Sequence, residues 1–218
     1  MRREGTIGKL HDSCDVFFNA TRPDKGGVYS GTWGGMFIKI LVGQLLIGIT
    51  LGIATPWVIC SIYKYVVENT TFQGKKVVFE GKGGGLFGTF FIVGLLTGIT
   101  FGIYYLLGFA NKKIVKWFVA RTKIEGVDAE STFDCDWKDM CVHQMLPWLL
   151  PSFICNNMTL SGVKMRSTYG FLTMISAEVA CAVADAVTFG WYEFLCAGVN
   201  RRLGTLVENI FVDERAAE

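Results

Sequence analysis

Lys39, Glu178, Asp185 and Glu193 are ionisable side chains set inside long apolar runs. Burying a charge is costly unless it is paired, so such residues mark either a path for a solute or a partnered site. Glu178 and Asp185 are seven residues apart and share one helix face, with Cys181 and Ala182 between them. Two chemistries fit them. Lys39 and Glu178 could form an ion pair between segments, or Lys39, Glu178 and Asp185 could line a water-filled path for an ion or small solute. The plainer alternative is that the acids face an aqueous cavity or a partner subunit and move nothing. No nucleophile and base can be assembled, because the chain has 2 histidines and neither stands in a catalytic motif. The stretch "CDWKDMCVH" gathers Cys135, Cys141 and His143, with His11 or Cys14 as a further donor, but C-x5-C-x-H is not a usual zinc spacing. "GKGGG" (Gly81–Gly85) lacks the spacing and the hydroxyl of a phosphate-binding loop. The reading therefore assigns no catalytic residues, no metal and no cofactor. The N-x-T sequons at Asn19, Asn69 and Asn157 are read as chance.

The elements that must carry these residues are unusually apolar. The chain is 51% hydrophobic and 18% charged, with mean hydropathy +0.38, where soluble domains carry about a quarter charged residues. The excess lies in Gly34–Val67, Gly83–Ala110 and Tyr169–Val199, each longer than the roughly 20 residues that cross a bilayer. The expected class is an all-α integral membrane protein, multi-pass in a cell (inner) membrane, with the lipid bilayer as a partner. Residues 1–27 are polar and hold no signal-peptide core, so the first apolar block is expected to act as its own insertion signal. A net charge of +2 is too small to point to nucleic acid. Of 7 cysteines, Cys60, Cys155, Cys181 and Cys196 sit in apolar surroundings and are expected to stay reduced.

The chain also repeats itself. "VYSGTWGGMF" (Val28–Phe37) returns as "VFEGKGGGLF" (Val78–Phe87), and the match runs on through "TLGI" (Thr50–Ile53) and "TFGI" (Thr100–Ile103). "KYVVENTTFQG" (Lys64–Gly74) aligns with "KWFVARTKIEG" (Lys116–Gly126). A worn third copy carries "LSGVKMRSTYGFL" (Leu160–Leu172), "TFGW" (Thr188–Trp191) and "LVENIF" (Leu206–Phe211). The expected layout is a polar tail at 1–27, membrane repeats at 28–77 and 78–126, an acidic insertion with an interfacial segment at 127–159, and a degenerate repeat with a tail at 160–218.

Basic residues follow each apolar block: Lys64, Lys75, Lys76 and Lys82, then Lys112, Lys113, Lys116, Arg121 and Lys123, then Arg201 and Arg202. Basic flanks favour the cytoplasmic face, and only hairpins return all three to one side. Bent helical hairpins are therefore expected, with three long kinked helices as the alternative. Thr50, Gly52 and Pro56, Thr100 and Gly102, and Thr188 and Gly190 mark the breaks. "TTFQGKKVVFEG" (Thr70–Gly81) is expected as a short β-hairpin on the cytoplasmic side, pairing with the "VYSG" strand. Glycines spaced by four, such as Gly94, Gly98 and Gly102, fit close helix contact, within one molecule or between copies.

Residues "YSGTWGGMF", "TLGIATPW", "ENTTFQGKKVVFEG" and "TFGIYYL" together resemble the bacterial YjgN-like family of inner-membrane proteins. The likeness covers about residues 28–126, with a weaker echo at 160–213. It implies membrane location and fold and brings no catalytic residues. "YLLGF" (Tyr105–Phe109), Arg121 in place of Asn69, and the acidic insertion depart from the family pattern. The functional expectation is a non-enzymatic structural or scaffold subunit that forms a homo-oligomer or joins a larger membrane complex. The alternative is an ion or small-solute channel or transporter.

Overall fold

Each glycine-rich entry sets a strand directly before a helix. Val28–Tyr29 form β1, and Thr32 then caps α1 (Trp33–Ile49), its hydroxyl accepting the Gly35 N–H at 3.2 Å. In this computed structural model, which describes residues 26–127, 129–146 and 149–212, the chain turns back as α2 (Thr55–Glu68) and enters β2 (Thr70–Phe72). The order strand, helices, strand then recurs. A second unit comprises β3 (Lys75–Phe79), α3 (Gly83–Ile99), the short α4 (Ile103–Leu106), α5 (Phe109–Val119) and β4 (Thr122–Ile124). A third comprises β5 (Thr132–Phe133), α6 (Trp137–Gln144), α7 (Leu150–Asn156) and β6 (Met158–Leu160). A fourth comprises β7 (Val163–Ser167), α8 (Phe171–Val187), the short α9 (Trp191–Phe194), α10 (Ala197–Glu208) and β8 (Ile210–Val212).

The strands form two antiparallel four-stranded sheets, β1-β2-β3-β4 and β5-β6-β7-β8. Two-residue turns in the left-handed region join the central pairs: Gln73–Gly74 (φ 50° and 78°) and Ser161–Gly162 (φ 50° and 77°). β1 meets β2 with Val28 opposite Thr71, and β3 meets β4 with Val78 opposite Lys123. Three hydrogen bonds draw the sheets together at one seam. Ser131 Oγ donates to the Thr122 carbonyl, the Ser161 N–H donates to Ser131 Oγ at 2.9 Å, and the Ile124 N–H donates to Ser161 Oγ at 2.8 Å. At the other seam the Gly27 N–H reaches the Ile210 carbonyl at 2.8 Å.

One pair of bonds closes every unit. The N–H groups of Ser30, Glu80, Asp134 and Thr168 donate to the carbonyls of Asn69, Arg121, Asn157 and Asn209. The side chains of those same four residues donate to carbonyls four residues earlier, on Tyr65, Trp117, Phe153 and Thr205, at 2.7–3.0 Å. These bonds tie the helix-end side chain to a carbonyl of the last helical turn, and at Tyr65 and Phe153 that carbonyl also accepts the backbone N–H of Asn69 or Asn157 at 3.2 Å. Arg121 thus does with a guanidinium what asparagine does elsewhere, and Asn69 and Asn157 serve as helix ends.

T-x-G ends the outgoing helix of the three long units. The Thr50 hydroxyl donates to the Leu46 carbonyl at 2.7 Å and accepts the Ala54 N–H at 3.0 Å, so one side chain holds both helices. Thr100 and Thr188 repeat both bonds. The N–H groups of Gly52, Gly102 and Gly190 reach back five residues to Ile47, Thr97 and Asp185, the 6→1 bond of a Schellman motif. The residues before them, Leu51, Phe101 and Phe189, hold positive φ of 52°, 50° and 54°.

Two expectations are overturned. The chain is not all-α, since its strands build two sheets. It is not a multi-pass protein of the inner membrane by its helices, because no helix among the described residues is long and apolar enough to cross a membrane. The physical reason lies in the T-x-G turn. It stops α1, α3 and α8 at 17 residues each, about 25 Å, against a hydrocarbon core of about 30 Å. Counting apolar residues across that turn adds two helices together. The element order adds a feature to the layout. Residues 127–159, expected as an insertion, run strand, helix, helix, strand like the other units. They carry no T-x-G, and α6 and α7 have only 8 and 7 residues, so neither signal was there to find.

The core lies where the return helices meet the sheets. Val67, Phe72, Val77, Phe79, Trp117, Val119, Cys155 and Leu160 are among its buried members. Tyr63 packs edge-on to Phe79 at 4.9 Å, with Phe118 at 4.5 Å.

Candidate functional site

The charged residues come first, since the sequence singled them out. α8 and α10 pack together in the fourth unit. There Arg202 Nε and Nη2 meet the two oxygens of Glu178 at 2.7 and 2.8 Å, and Nη2 meets Glu193 Oε1 at 2.8 Å. The two carboxylates push the Arg202 pKa further up, so it stays charged. Asp185 Oδ1 accepts the Glu193 N–H at 3.1 Å and so caps the short helix α9. Glu178, Asp185 and Glu193 therefore belong to one local network organised by Arg202, which sequence reasoning saw only as a basic flank. The spacing Glu178…Arg202 crosses a turn and two helices, so no periodic pattern reveals it. Lys39 is elsewhere. Its Nζ lies 3.4 Å from Ser61 Oγ and 5.7 Å from the centre of the Tyr65 ring, and it has no carboxylate partner among the described residues.

The helix-break residues Thr50, Gly52, Thr100, Gly102, Thr188 and Gly190 form the three turns described above, and Pro56 opens α2. His143 stacks on Phe153 with centroids 4.0 Å apart and holds the Asp139 carbonyl at 2.7 Å through Nδ1. Cys141 Sγ donates to the Leu106 carbonyl at 3.4 Å, and Lys112 Nζ binds the Cys135 carbonyl. Among the described residues no three His, Cys, Asp or Glu side chains come together as a metal site. His11 and Cys14 lie outside the described residues.

Two larger features remain; glycine spacing hints at the first, and nothing in the sequence signals the second. The first is a collar. All eight strands gather at one end, and the long hairpins pack side by side, α2 against α3 and α10 against α1. Their tips end away from the strands. At those tips Leu51, Phe101 and Phe189 are 93%, 96% and 93% exposed. Leu41 and Leu45 on α1, Phe91 and Leu95 on α3, and Leu172 and Val179 on α8 are exposed below them. The glycines divide by environment. A methyl group on Gly43 would meet Val58, one on Gly35 would meet Tyr65, and one on Gly83 would meet Trp57, each at 2.4 Å. Gly34 and Gly48 on α1, and Gly84, Gly88, Gly94 and Gly98 on α3, have open space before them.

The second feature is a central chamber of about 390 Å³. Val67, Val119, Cys155 and Val207 line it from the four return helices, each two residues before the helix-end residue Asn69, Arg121, Asn157 or Asn209. Phe72 and Leu160 join them from the strands. Burial pushes the Cys155 thiol up to about 12, so it is a neutral, apolar wall.

No family model, no curated protein and no solved structure matches this chain. The site must therefore be read from its own geometry.

Proposed function

We propose that this protein is a non-enzymatic assembly subunit that associates with further copies of itself through the apolar collar. One observation carries this reading: six helical glycines face open space. Glycine inside a helix costs about 1 kcal/mol relative to alanine, and a separate molecule recovers none of it where no neighbour approaches. A second helix lying over α3 does recover it, because Gly84 and Gly88, and again Gly94 and Gly98, are four residues apart and let two backbones come close. The exposed Phe91 and Leu95 beside them supply the apolar area. The alternative of a channel or transporter gets less support. Glu178 and Glu193 are both engaged by the one Arg202 guanidinium, and Asp185 accepts the Glu193 N–H, so all three acids already have partners within the unit.

Sedimentation velocity over a range of protein concentrations tests this. The wild-type chain is expected to form discrete oligomers, and a Gly88→Leu/Gly98→Leu variant is expected to remain monomeric with an unchanged circular dichroism spectrum. A wild-type chain that stays monomeric throughout overturns the reading. Flotation of that monomer with lipid vesicles would place lipid, and not a second copy, on the collar.

A further inference from the structure

We infer that the central chamber is a binding site for a small, neutral, flexible apolar molecule, such as a medium-length hydrocarbon chain without a charged end. At about 390 Å³ it falls in the size range of ligand pockets, roughly 300–1,000 Å³. Water is a poor occupant, because it needs two to four polar partners and the lining has none to spare. Its three hydroxyls are already engaged: Thr70 with the Val66 carbonyl at 2.8 Å, Thr122 with the Phe118 carbonyl at 2.9 Å, and Tyr63 with Thr122 at 3.2 Å. No charged side chain lines the chamber. A carboxylate or ammonium would find no counter-ion there, so the complementary occupant is uncharged.

The chamber is built by all four units and is not a flaw in one. Val67, Val119, Cys155 and Val207 occupy matching places and are all buried. A collapsed core of this composition would close with larger side chains at those four positions, yet three are valine and one is cysteine. The third hairpin also stops short. Its return helix α7 has 7 residues where α2 has 14, and it still contributes Leu150, Pro151, Ile154 and Cys155 to the lining.

The test uses the full chain with N-phenyl-1-naphthylamine as fluorescent probe, displaced by 1-decanol, decanoate or decyltrimethylammonium. One saturable site per chain is expected, with 1-decanol displacing the probe at least tenfold better than either ion. Val119→Phe and Val207→Phe, which fill the chamber, are expected to weaken probe binding at least tenfold. Should they fail to fold, Phe118→Ala and Leu206→Ala enlarge the chamber instead, and the preferred alcohol is expected to lengthen from 1-decanol towards 1-tetradecanol. A triple Leu51→Ser/Phe101→Ser/Phe189→Ser variant is expected to bind as wild type, which separates the chamber from the collar. The inference is overturned if no saturable site exists, if the triple variant loses it, or if enlarging the chamber leaves chain-length preference unchanged. It stands or falls independently of self-association, since the triple variant removes the collar tips and keeps the chamber.

Discussion

Replacing Phe101 with glycine separates what the hairpin tip costs the fold from what it does. Phe101 holds φ at 50°, in the left-handed region that costs an L-residue roughly 1–2 kcal/mol. Glycine escapes that cost but brings more freedom to the unfolded chain, which takes back roughly 0.4–1 kcal/mol. The ring is 96% exposed, so almost no burial is lost with it. The balance is a gain of about 0.5–1 kcal/mol for the isolated molecule, or about 1–4 °C in Tm for a chain of this size. The collar predicts the opposite trend on concentration. Wild-type Tm should rise with protein concentration because association draws on the folded state. The Phe101→Gly variant should show less of that rise, so the two curves cross. Differential scanning fluorimetry over three decades of concentration reads both effects. A variant that melts below wild type at the lowest concentration refutes the strain argument. A variant that follows the wild-type concentration dependence refutes the role of the tip.

Four further outcomes follow from the same geometry. In dilute solution Gly98→Ala is expected to raise stability by up to about 1 kcal/mol through helix propensity, whereas Gly43→Ala, driven into Val58, is expected to lower it by about 1–3 kcal/mol; urea unfolding compares them. Ser131→Ala removes the bridge between the two sheets and should lower stability by about 1–3 kcal/mol, because the Ser161 N–H is left buried without a partner. Arg202→Met leaves Glu178 and Glu193 facing each other, but both are partly exposed, so a loss of only about 1 kcal/mol is expected, and it should shrink in high salt. The Cys155 thiol titrates at about 12 in the fold against 9.0 when free. The unfolded chain therefore loses this proton first, and stability should fall as pH rises from about 9 towards 12. Urea midpoints of wild type and Cys155→Ala across that window should differ in slope, with the variant the flatter.

Local chemistry was legible in the sequence to different depths. Thr50, Gly52, Thr100, Gly102, Thr188 and Gly190 were visible as breaks because a turn of fixed geometry needs a hydroxyl and a glycine at fixed offsets. The same motif hides the helix length in the sequence: the turn divides each apolar block into an outgoing and a returning helix, and neither is long and apolar enough to cross a bilayer. The strands β1, β4 and β8 are only two or three residues long, too short to show alternation. The third unit kept the asparagine helix end at Asn157 but lost T-x-G and half its helix, so composition alone read it as an insertion. Arg202 and the chamber were hidden for a different reason. Both depend on which helices become neighbours, and a single chain read in order does not carry that information. Glycine spacing alone does not tell which glycines pack inside the molecule, and their environments do: Gly35, Gly43 and Gly83 face inward, and Gly84, Gly88, Gly94 and Gly98 face open space.

The most direct measurement of self-association is a photocrosslink from the collar itself. A benzophenone amino acid in place of Leu95, which is exposed on α3, should yield a covalent dimer on irradiation, with the linked peptides mapping to α1 or α3 of a second copy. The same group in place of Lys76, exposed on β3 at the strand end, should yield none. Crosslinks from Leu95 that stay within one chain, at concentrations where wild type is expected to assemble, would contradict the account.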